Sequence, residues 1–315
     1  MEYTRREFLK KASLSAVLLG AELSPIGKVF SQFYERSPNK PRLNGRYLQT
    51  VYDHKKKYIR EGKFEHSNPE WQEIRRGLYF TRITVYRREE PVDSIGIVKA
   101  EPAYNKFRIF HDHNRKTIEE WMKYTKADVV FNSSYYQYSG DPCGLIISDG
   151  KMKGPKINKA MTGMFVAEPN DENESRVRII DLKKEKYDPS HNKWNMGVQS
   201  FPLLVNEDGK IGGGRSDWYA NRTVLCDDNK GNAIALTTEG GYFSLYDIGL
   251  FLKESRLGIK NALNMDGGYE GDMMIKTKNI EYLTYGQWET QGKRDISVPG
   301  AHIILPTVIS IFPRK

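Results

Sequence analysis

Two acidic residues, each followed by a pair of glycines, constrain the fold of this chain more than any other sequence feature. Glu239-Gly240-Gly241 follows an apolar run at 233–238, and Asp266-Gly267-Gly268 follows a second run at 261–265. Between them, Ser244 begins a segment whose apolar residues recur at helical spacing. A strand, a helix and a strand at this spacing predict a right-handed crossover between parallel strands. If those strands are neighbours, Glu239 and Asp266 lie at their carboxyl ends, where open parallel sheets bind ligands.

The rest of the chain mixes strand and helix signals, which predicts an α+β (mixed α/β) fold with a mixed β-sheet and flanking helices. Short β-branched and aromatic runs at 78–86 and 93–98 are typical of strands. Thr117 and Glu120 form a capping box that predicts a helix ending near residue 125, and a buried strand should follow it and end at Asn132. Hairpin turns are predicted at Asp149-Gly150, Asp208-Gly209 and Asn229-Lys230-Gly231.

The N-terminus has the pattern of an export signal. Residues 4–10 read Thr-Arg-Arg-Glu-Phe-Leu-Lys, which closely resembles the twin-arginine signal, and an apolar stretch follows at 12–21. That stretch is too short to span a ~30 Å hydrocarbon core, which predicts a signal peptide at 1–24 and no stable membrane span after its removal. The competing interpretation is a basic amphipathic helix. We therefore expect the twin-arginine export machinery as a partner and a periplasmic or extracellular location.

The segment after this signal predicts a basic connector at 25–76, because Ser37-Pro38-Asn39-Lys40-Pro41 interrupts any regular element. Folded structure is expected from about Gly77, so that 77–315 forms one domain. The chain has 49 basic and 40 acidic residues and a formal charge of +9. Such a charge is typical of a solvated basic segment or of a surface that attracts anionic polymers or phosphorylated sugars. No zinc finger, aromatic RNP pattern or basic helix with heptads is present, which disfavours a nucleic-acid partner.

Metal and disulfide chemistry have little support in the sequence. Cys143 and Cys226 are too few for a disulfide framework or a four-cysteine zinc site, although one bridge between them stays open. His111 and His113 would share a face of a strand, but no third ligand is identifiable, which favours surface histidines over zinc. We expect no metal and no cofactor.

The order of these motifs resembles the phosphodiester glycosidase family, whose hallmark is Asn-hydrophobic-Asp-Gly-Gly. The resemblance covers about residues 78–305. The matching motifs, in chain order, are Asn132-Ser133-Ser134-Tyr135-Tyr136, Pro142 with Gly144, Asp149-Gly150, Gln199-Ser200-Phe201-Pro202-Leu203-Leu204-Val205, Arg222-Thr223, Glu239-Gly240, Asn264-Met265-Asp266-Gly267-Gly268, Arg294 and Val298-Pro299. This chain has Ser133-Ser134 where the family usually has Gly-Gly, and Tyr269-Glu270 where it usually has Gly-Ser.

The resemblance implies one catalytic domain that cleaves the C1–O bond of a sugar 1-phosphodiester and releases free sugar and a phosphate monoester. The sugar would be N-acetylglucosamine-like or another sugar of the envelope or of exopolysaccharide. The reaction passes through an oxocarbenium-like state, so it needs a carboxylate facing the anomeric carbon and cations on the phosphate. Asp266 and Glu239 are the candidate catalytic residues. The candidate substrate-binding residues are Asn132, Tyr135, Tyr136, Arg222, Asn264, Gly267, Gly268 and Arg294.

The polar and aromatic residues among these candidates have specific roles within that hypothesis. Arg222 and Arg294 would clamp the phosphate, and Tyr135 or Tyr136 would stack on the sugar. Asn132 and Asn264 would hold sugar hydroxyls or orient a carboxylate. The alternative function is a non-catalytic exported protein that binds phosphodiester-linked glycans or exopolysaccharide. A purely structural role in exopolysaccharide assembly is a third interpretation.

Overall fold

A computed structural model of the chain describes residues 61–216, 218–291, 294–297 and 303–314. The predicted signal and residues 25–60 of the predicted connector lie outside the described residues. The described ranges contain two α-helices, α1 (Ile118–Thr125) and α2 (Leu245–Glu254), and two 3-10 turns, Pro189–His191 and Gly268–Glu270. Their strands, numbered in chain order, are β1 (Phe64–His66), β2 (Gln72–Arg75), β3 (Leu78–Arg87), β4 (Glu90–Ala100), β5 (Asn105–Lys116), β6 (Val129–Asn132), β7 (Ile146–Ser148), β8 (Lys151–Lys153), β9 (Gly163–Pro169), β10 (Val177–Asp181), β11 (Trp194–Ser200), β12 (Leu203–Val205), β13 (Thr223–Asp228), β14 (Ala233–Thr238), β15 (Ile259–Asn264), β16 (Met273–Lys276), β17 (Glu281–Thr284), β18 (Trp288–Gln291), β19 (Arg294–Ser297) and β20 (Leu305–Pro313).

These strands form three large sheets and one hairpin. The largest sheet has eight strands in the order β1, β3, β4, β14, β13, β15, β12, with β2 paired to β3. A five-stranded sheet has the order β10, β9, β11, β7, β8, and a second one has the order β17, β16, β6, β20, β5. Strands β18 and β19 pair with each other. The protein is therefore dominated by β-structure, with only two helices in the described part.

The two strands of the predicted crossover, β14 and β15, run parallel to each other but do not pair with each other. Strands β14 and β15 both pair antiparallel to β13, so they run in the same direction with β13 between them. The prediction of a mixed β-sheet is corrected here, because every strand pair among the described residues is antiparallel. The physical reason is the turn at Asn229-Lys230-Gly231, which folds β13 back onto β14 as a hairpin and fills the place beside it. The carboxyl ends of β14 and β15 still lie at one edge of the sheet.

Apolar side chains divide the molecule into layers. The eight-stranded sheet packs one face against both five-stranded sheets through Phe80, Phe107, Phe131, Phe165 and Leu263. Its other face is covered by α2. The second five-stranded sheet is covered on its outer side by α1, whose Trp121 is buried and donates its indole N–H to the carbonyl of Leu305 at 2.9 Å. Burial of about 25 cal/mol per Å² of apolar surface holds these layers together.

Local sequence signals set both helices and all three predicted hairpin turns. Thr117 and Glu120 form the capping box of α1, and the Ser244 hydroxyl caps α2 by accepting from the Asp247 backbone N–H. Helix α2 ends at Glu254. Each predicted turn joins paired segments: β7 with β8, Val205 with Ile211, and β13 with β14.

Three further findings bear on the sequence expectations. Strands β1 and β2 lie inside the segment 25–76 taken as a connector, so paired strands precede Gly77. Cys143 and Cys226 are both buried free thiols. Across the described ranges, neither helix has the length and apolarity needed to cross a bilayer.

Candidate active site

The candidate site lies where the eight-stranded sheet meets the sheet that contains β6. Asn132 ends β6, and its buried side-chain amide connects the two sheets. Its Nδ2 donates to the Asp266 carbonyl at 2.8 Å, and its Oδ1 accepts from the Thr223 hydroxyl of β13 at 2.7 Å. The Asp266 backbone N–H donates to the Ser133 carbonyl at 3.0 Å. Asn132 therefore positions the backbone that carries Asp266.

The turn after Asp266 requires both of its glycines. A Cβ on Gly267 would lie 2.6 Å from the Asn221 carbonyl oxygen, closer than real contacts allow. Gly268 has a φ of +71°, which L-residues with a side chain rarely adopt, and a Cβ there would lie 2.8 Å from Oε2 of Glu289. The Asp-Gly-Gly motif thus fixes the backbone of the turn tightly against its neighbours. The structure assigns both glycines this role in the backbone.

Three buried carboxyl groups cluster at this turn: Asp266, Glu270 and Glu289. Burial and then the charge of Glu270 raise the pKa of Asp266 well above its ordinary value. Burial raises the pKa of Glu270 to about 7. Burial, followed by the charge of Glu270, raises the pKa of Glu289 to about 8. The cluster therefore holds protons near neutral pH and can exchange them there.

Arg222 supplies the positive charge of this cluster. It precedes β13 and lies between the ends of β14 and β15. Its Nε donates to the Phe243 carbonyl at 3.0 Å and its Nη2 to the Trp218 carbonyl at 2.8 Å. Among the opposing influences, its charge lowers the pKa values of Asp266 and Glu289. Arg222 and Asp266, both candidate site residues, thus lie within electrostatic range of each other.

Several polar atoms around Asp266 are buried with no hydrogen-bond partner among the described residues. One Asp266 oxygen, Oδ1, accepts from the Gly267 N–H at 3.0 Å, whereas Oδ2 has no partner in that part of the chain. The other such atoms near it are Ser133 Oγ, Asn264 Oδ1 and Glu270 Oε2. Buried polar atoms are nearly always hydrogen-bonded in folded proteins, so a group of exceptions marks a place built to bind a polar ligand.

The two predicted tyrosines have different surroundings. The Tyr135 hydroxyl donates to the Phe201 carbonyl at 3.0 Å and accepts from Nδ2 of Asn264 at 2.7 Å. The Tyr136 hydroxyl donates to Oε1 of Glu270 at 3.4 Å. Burial, and then the charges of Glu270 and Asp266, raise the Tyr136 pKa well above its ordinary value. Tyr136 therefore belongs to the carboxyl cluster, whereas Tyr135 is hydrogen-bonded to Asn264.

Glu239 has a separate set of contacts. Nε and Nη2 of Arg82 on β3 donate to its two carboxylate oxygens at 2.8 and 2.6 Å, and the Tyr282 hydroxyl donates to it at 3.0 Å. The charges that shift the Asp266 pKa are those of Glu270, Glu289 and Arg222. The second and third carboxyls beside Asp266 are thus Glu270 and Glu289, while Glu239 pairs with Arg82.

Two other predicted features lie apart from this cluster or outside the described part. Arg294 begins β19, but its side chain is not among those described, and Val298-Pro299 lie outside the described residues. His111 and His113 lie on β5 with ring centroids 4.8 Å apart, beside a cavity of about 420 Å³ that none of the clustered carboxyls line. Burial lowers the pKa of His111 to about 4. No group of metal-ligating residues occurs within the described ranges.

Sequence reasoning missed the two glutamates of the cluster. Glu270 is visible only as a departure from the family pattern, and its position in a 3-10 turn after Gly268 is what folds it back toward Asp266. Glu289 has no signal in the sequence, because it reaches the turn from β18 through a bridge between its backbone and that of Ala220. Trp218 hydrogen-bonds the Glu289 side chain.

Comparison with solved structures finds proteins of similar fold. The catalytic domain of zebrafish N-acetylglucosamine-1-phosphodiester alpha-N-acetylglucosaminidase, solved in a form auto-inhibited by its pro-peptide, has a similar fold. The two share 17% sequence identity with a TM-score of 0.54, over 89% of this chain and 97% of that domain. A hypothetical protein from Synechocystis is similar at 13% identity and a TM-score of 0.51, over 79% of this chain and 64% of that one. Both likenesses concern the fold.

Sequence comparisons give one decisive result. No curated protein matches the chain directly. The sequence model of the phosphodiester glycosidase family, however, matches residues 125–299, which is more than half of the 315 residues and includes the clustered carboxyls. The chain therefore belongs to the phosphodiester glycosidase family.

Proposed function

We propose that this protein is an exported glycosidase that hydrolyses the C1–O bond of a sugar 1-phosphodiester and releases free sugar and a phosphate monoester. One observation supports this most strongly: the Oδ2 of Asp266 is buried with no partner among the described residues, in the same cluster as Arg222, whose charge lowers the Asp266 pKa. A carboxylate next to a guanidinium suits a substrate that places an anomeric carbon beside a phosphate. The sugar we propose is N-acetylglucosamine-like or another envelope or exopolysaccharide sugar.

Each group has a defined task in this reaction. Asp266 faces the anomeric carbon and stabilises the positive charge that develops there. Arg222 offsets the charge of the departing phosphate monoester, whose second pKa near 6 makes it a leaving group with little need of protonation. Asn132 holds the Asp266 backbone in place. Asp266 is only 3% exposed, so the bound sugar has to reach a carboxyl group that is buried in this structure.

The test is hydrolysis of N-acetylglucosamine 1-phosphate esterified to a simple alcohol, carried out in isotope-labelled water. We expect free sugar and an intact phosphate monoester in equal amounts, with the label in the sugar, because the bond that breaks is C1–O. Asp266→Asn keeps the shape of the side chain and is the matched inactive control. Label in the phosphate, or inorganic phosphate or sugar 1-phosphate as the first product, would contradict the proposal.

The second candidate is a non-catalytic protein that binds phosphodiester-linked glycans. The burial that raises the pKa of Asp266 favours it, because a carboxyl group that ionises less readily is a weaker nucleophile and can donate a hydrogen bond to a bound glycan. Calorimetry with the same phosphodiester separates the two candidates. A binder shows heat of binding and no turnover, and its Asp266→Asn variant retains affinity.

Export is a separate part of the proposal and depends on Arg5 and Arg6, which lie outside the described residues. Replacing both with Lys keeps the charge but removes the twin-arginine pattern. We expect the variant to stay in the cytoplasm, as cell fractionation would show. Unchanged export would contradict a twin-arginine signal while leaving the proposed chemistry intact.

A further inference from the structure

Only one of the two carboxyl oxygens of Glu270 has a hydrogen-bond partner among the described residues. It ends the 3-10 turn Gly268–Glu270, and its side chain is buried among the cluster. Its Oε1 accepts from the Tyr136 hydroxyl at 3.4 Å, whereas its Oε2 is buried with no partner among the described residues. A carboxyl group held on one side by a phenol and left open on the other can accept a proton from a ligand.

Glu270 and Asp266 lie close together. The charge of Glu270 raises the pKa of Asp266, and both charges raise the pKa of the Tyr136 hydroxyl. The Tyr136 hydroxyl contacts Glu270 directly, and Glu270 belongs to the 3-10 turn that follows Asp266-Gly267, so the three groups share one small region. The other ionisable side chains that lie within the influence of Glu270 are Tyr269, Asp272 and Glu289.

Two neighbouring carboxyls fit the same task less well. Glu289 accepts a hydrogen bond from Trp218, and neither of its oxygens is among the buried unpaired atoms of the described chain. Asp272 accepts from the Gly286 N–H at 2.9 Å and also has an unpaired buried oxygen, Oδ2, in the described chain, but its charge is not among those that shift the Asp266 pKa. Among the clustered glutamates, Glu270 alone combines closeness to Asp266 with an unpaired oxygen in the described structure.

We propose that Glu270 is a second acid–base residue of this site, one that takes a proton from the attacking water; this inference rests on the proposed function. The water oxygen forms a bond to C1 as the C1–O bond to phosphate breaks, and that electron pair stays on the phosphate oxygen. One water proton moves to Oε2 of Glu270 and then to solvent. Asp266 stabilises the developing charge on the sugar. Family members with Ser at this place would lack this carboxyl.

The experiment compares Glu270→Gln and Glu270→Ser with the full-length protein, using kcat and KM across pH. The base must be ionised, so wild-type kcat should rise with pH through a midpoint near 7 and then level off. Glu270→Gln should lower kcat by about 10²–10⁴-fold with little change in KM, and the pH-dependent rise should vanish. Added formate should restore activity to Glu270→Ser, where it can occupy the vacated space, but not to Glu270→Gln.

Two further variants make the result interpretable. Tyr136→Phe removes a hydrogen bond that lowers the Glu270 pKa, so its pH midpoint should move upward. This variant still tests the proposal if the substitutions of Glu270 unfold the protein. Asp93→Asn is the matched control, because burial also raises the pKa of Asp93 to about 7, at a site bonded to the Gly240 and Tyr242 backbone N–H groups. It should leave the pH midpoint of kcat unchanged.

The outcomes separate this inference from the proposed function. If the folded wild-type protein cleaves no sugar 1-phosphodiester, both are overturned. If the wild type is active and Glu270→Gln keeps its kcat and pH profile, Glu270 is excluded and the proposed function stands. A uniform loss of kcat with an unchanged pH midpoint and no formate rescue assigns Glu270 a structural role and overturns the inference.

Discussion

The contact between Arg82 and Glu239 indicates that Glu239 stabilises the fold and does not take part in catalysis. Arg82 donates two hydrogen bonds to the carboxylate, at 2.8 and 2.6 Å, and Tyr282 donates a third at 3.0 Å. These bonds link β3, the end of β14 and β17. The geometry leads us to expect that Glu239 stabilises the fold and that its substitution has a small effect on catalysis.

The size of the effect follows from exposure. Arg82 is 52% exposed and Glu239 is 25% exposed. Exposed ion pairs contribute about 0.2–1 kcal/mol, and the bidentate geometry places this pair near the upper end. A double-mutant cycle of Arg82→Gln and Glu239→Gln should therefore give a coupling energy of about 1 kcal/mol, which should fall at about 1 M salt.

The assay is urea unfolding of the two single variants, the double variant and the wild type, with kcat/KM measured on the same samples. Tyr282→Phe is the control, because it removes the third hydrogen bond and keeps the ring. Glu239→Gln should retain kcat/KM within about tenfold of the wild type. A loss of about 10³-fold or more in Glu239→Gln but not in Arg82→Gln, with a coupling energy near zero, would refute this reasoning and make Glu239 a catalytic residue.

Three other predictions concern the site and its pH dependence. Asp266→Asn should lower kcat by at least about 10³-fold without loss of folding, and Arg222→Lys should also lower kcat because Lys cannot reproduce the two-nitrogen contact to the Phe243 and Trp218 carbonyls; steady-state kinetics and circular dichroism would check both. Asn132→Ala should cost about 2–4 kcal/mol in urea unfolding, since the Asp266 carbonyl loses its Asn132 donor and the Thr223 hydroxyl keeps only a 3.5 Å contact with the Thr237 hydroxyl. An unchanged midpoint would contradict the role of Asn132 as a connection between sheets. The Asp93 pKa is higher in the folded than in the unfolded chain, so this group should lower stability as pH rises from about 4 to 7, by at most roughly 4 kcal/mol; Asp93→Asn should flatten that part of the pH–stability curve, and an equally steep curve would count against it.

Local features of the fold were predictable from the sequence because they depend on neighbouring residues. The capping box at Thr117, the cap at Ser244 and the three hairpin turns each follow from a few adjacent side chains. Strand order was not predictable in the same way. The position of β13 between β14 and β15 depends on pairings between distant segments, which periodicity does not encode.

The candidate site, too, has residues that local motifs predicted and residues that only contacts between distant segments place there. Asp266 and Arg222 were predictable from short motifs at strand ends, and the structure brings them together. Glu239 matched an equally good motif, but Arg82 on β3, 157 positions away, engages both of its oxygens. Glu289 joins the cluster through a backbone bridge to Ala220, a contact without a local signal. Motifs identify which carboxyls can be placed at this edge, whereas tertiary contacts decide which of them are paired.

The way the Asp266 turn is held explains how this chain can differ from its family beside a fixed carboxylate. The Asp266 backbone is held on both sides, by the Ser133 carbonyl and by the Asn132 amide, and Gly267 fits closely against Asn221. None of these contacts uses the side chain of residue 270. A glutamate there adds a second carboxyl, and with it a proton acceptor, while the contacts that position Asp266 remain. We therefore expect Glu270→Ser to leave the fold intact and to change the pH dependence of the site, which makes residue 270 the place where this protein and its relatives would differ in chemistry.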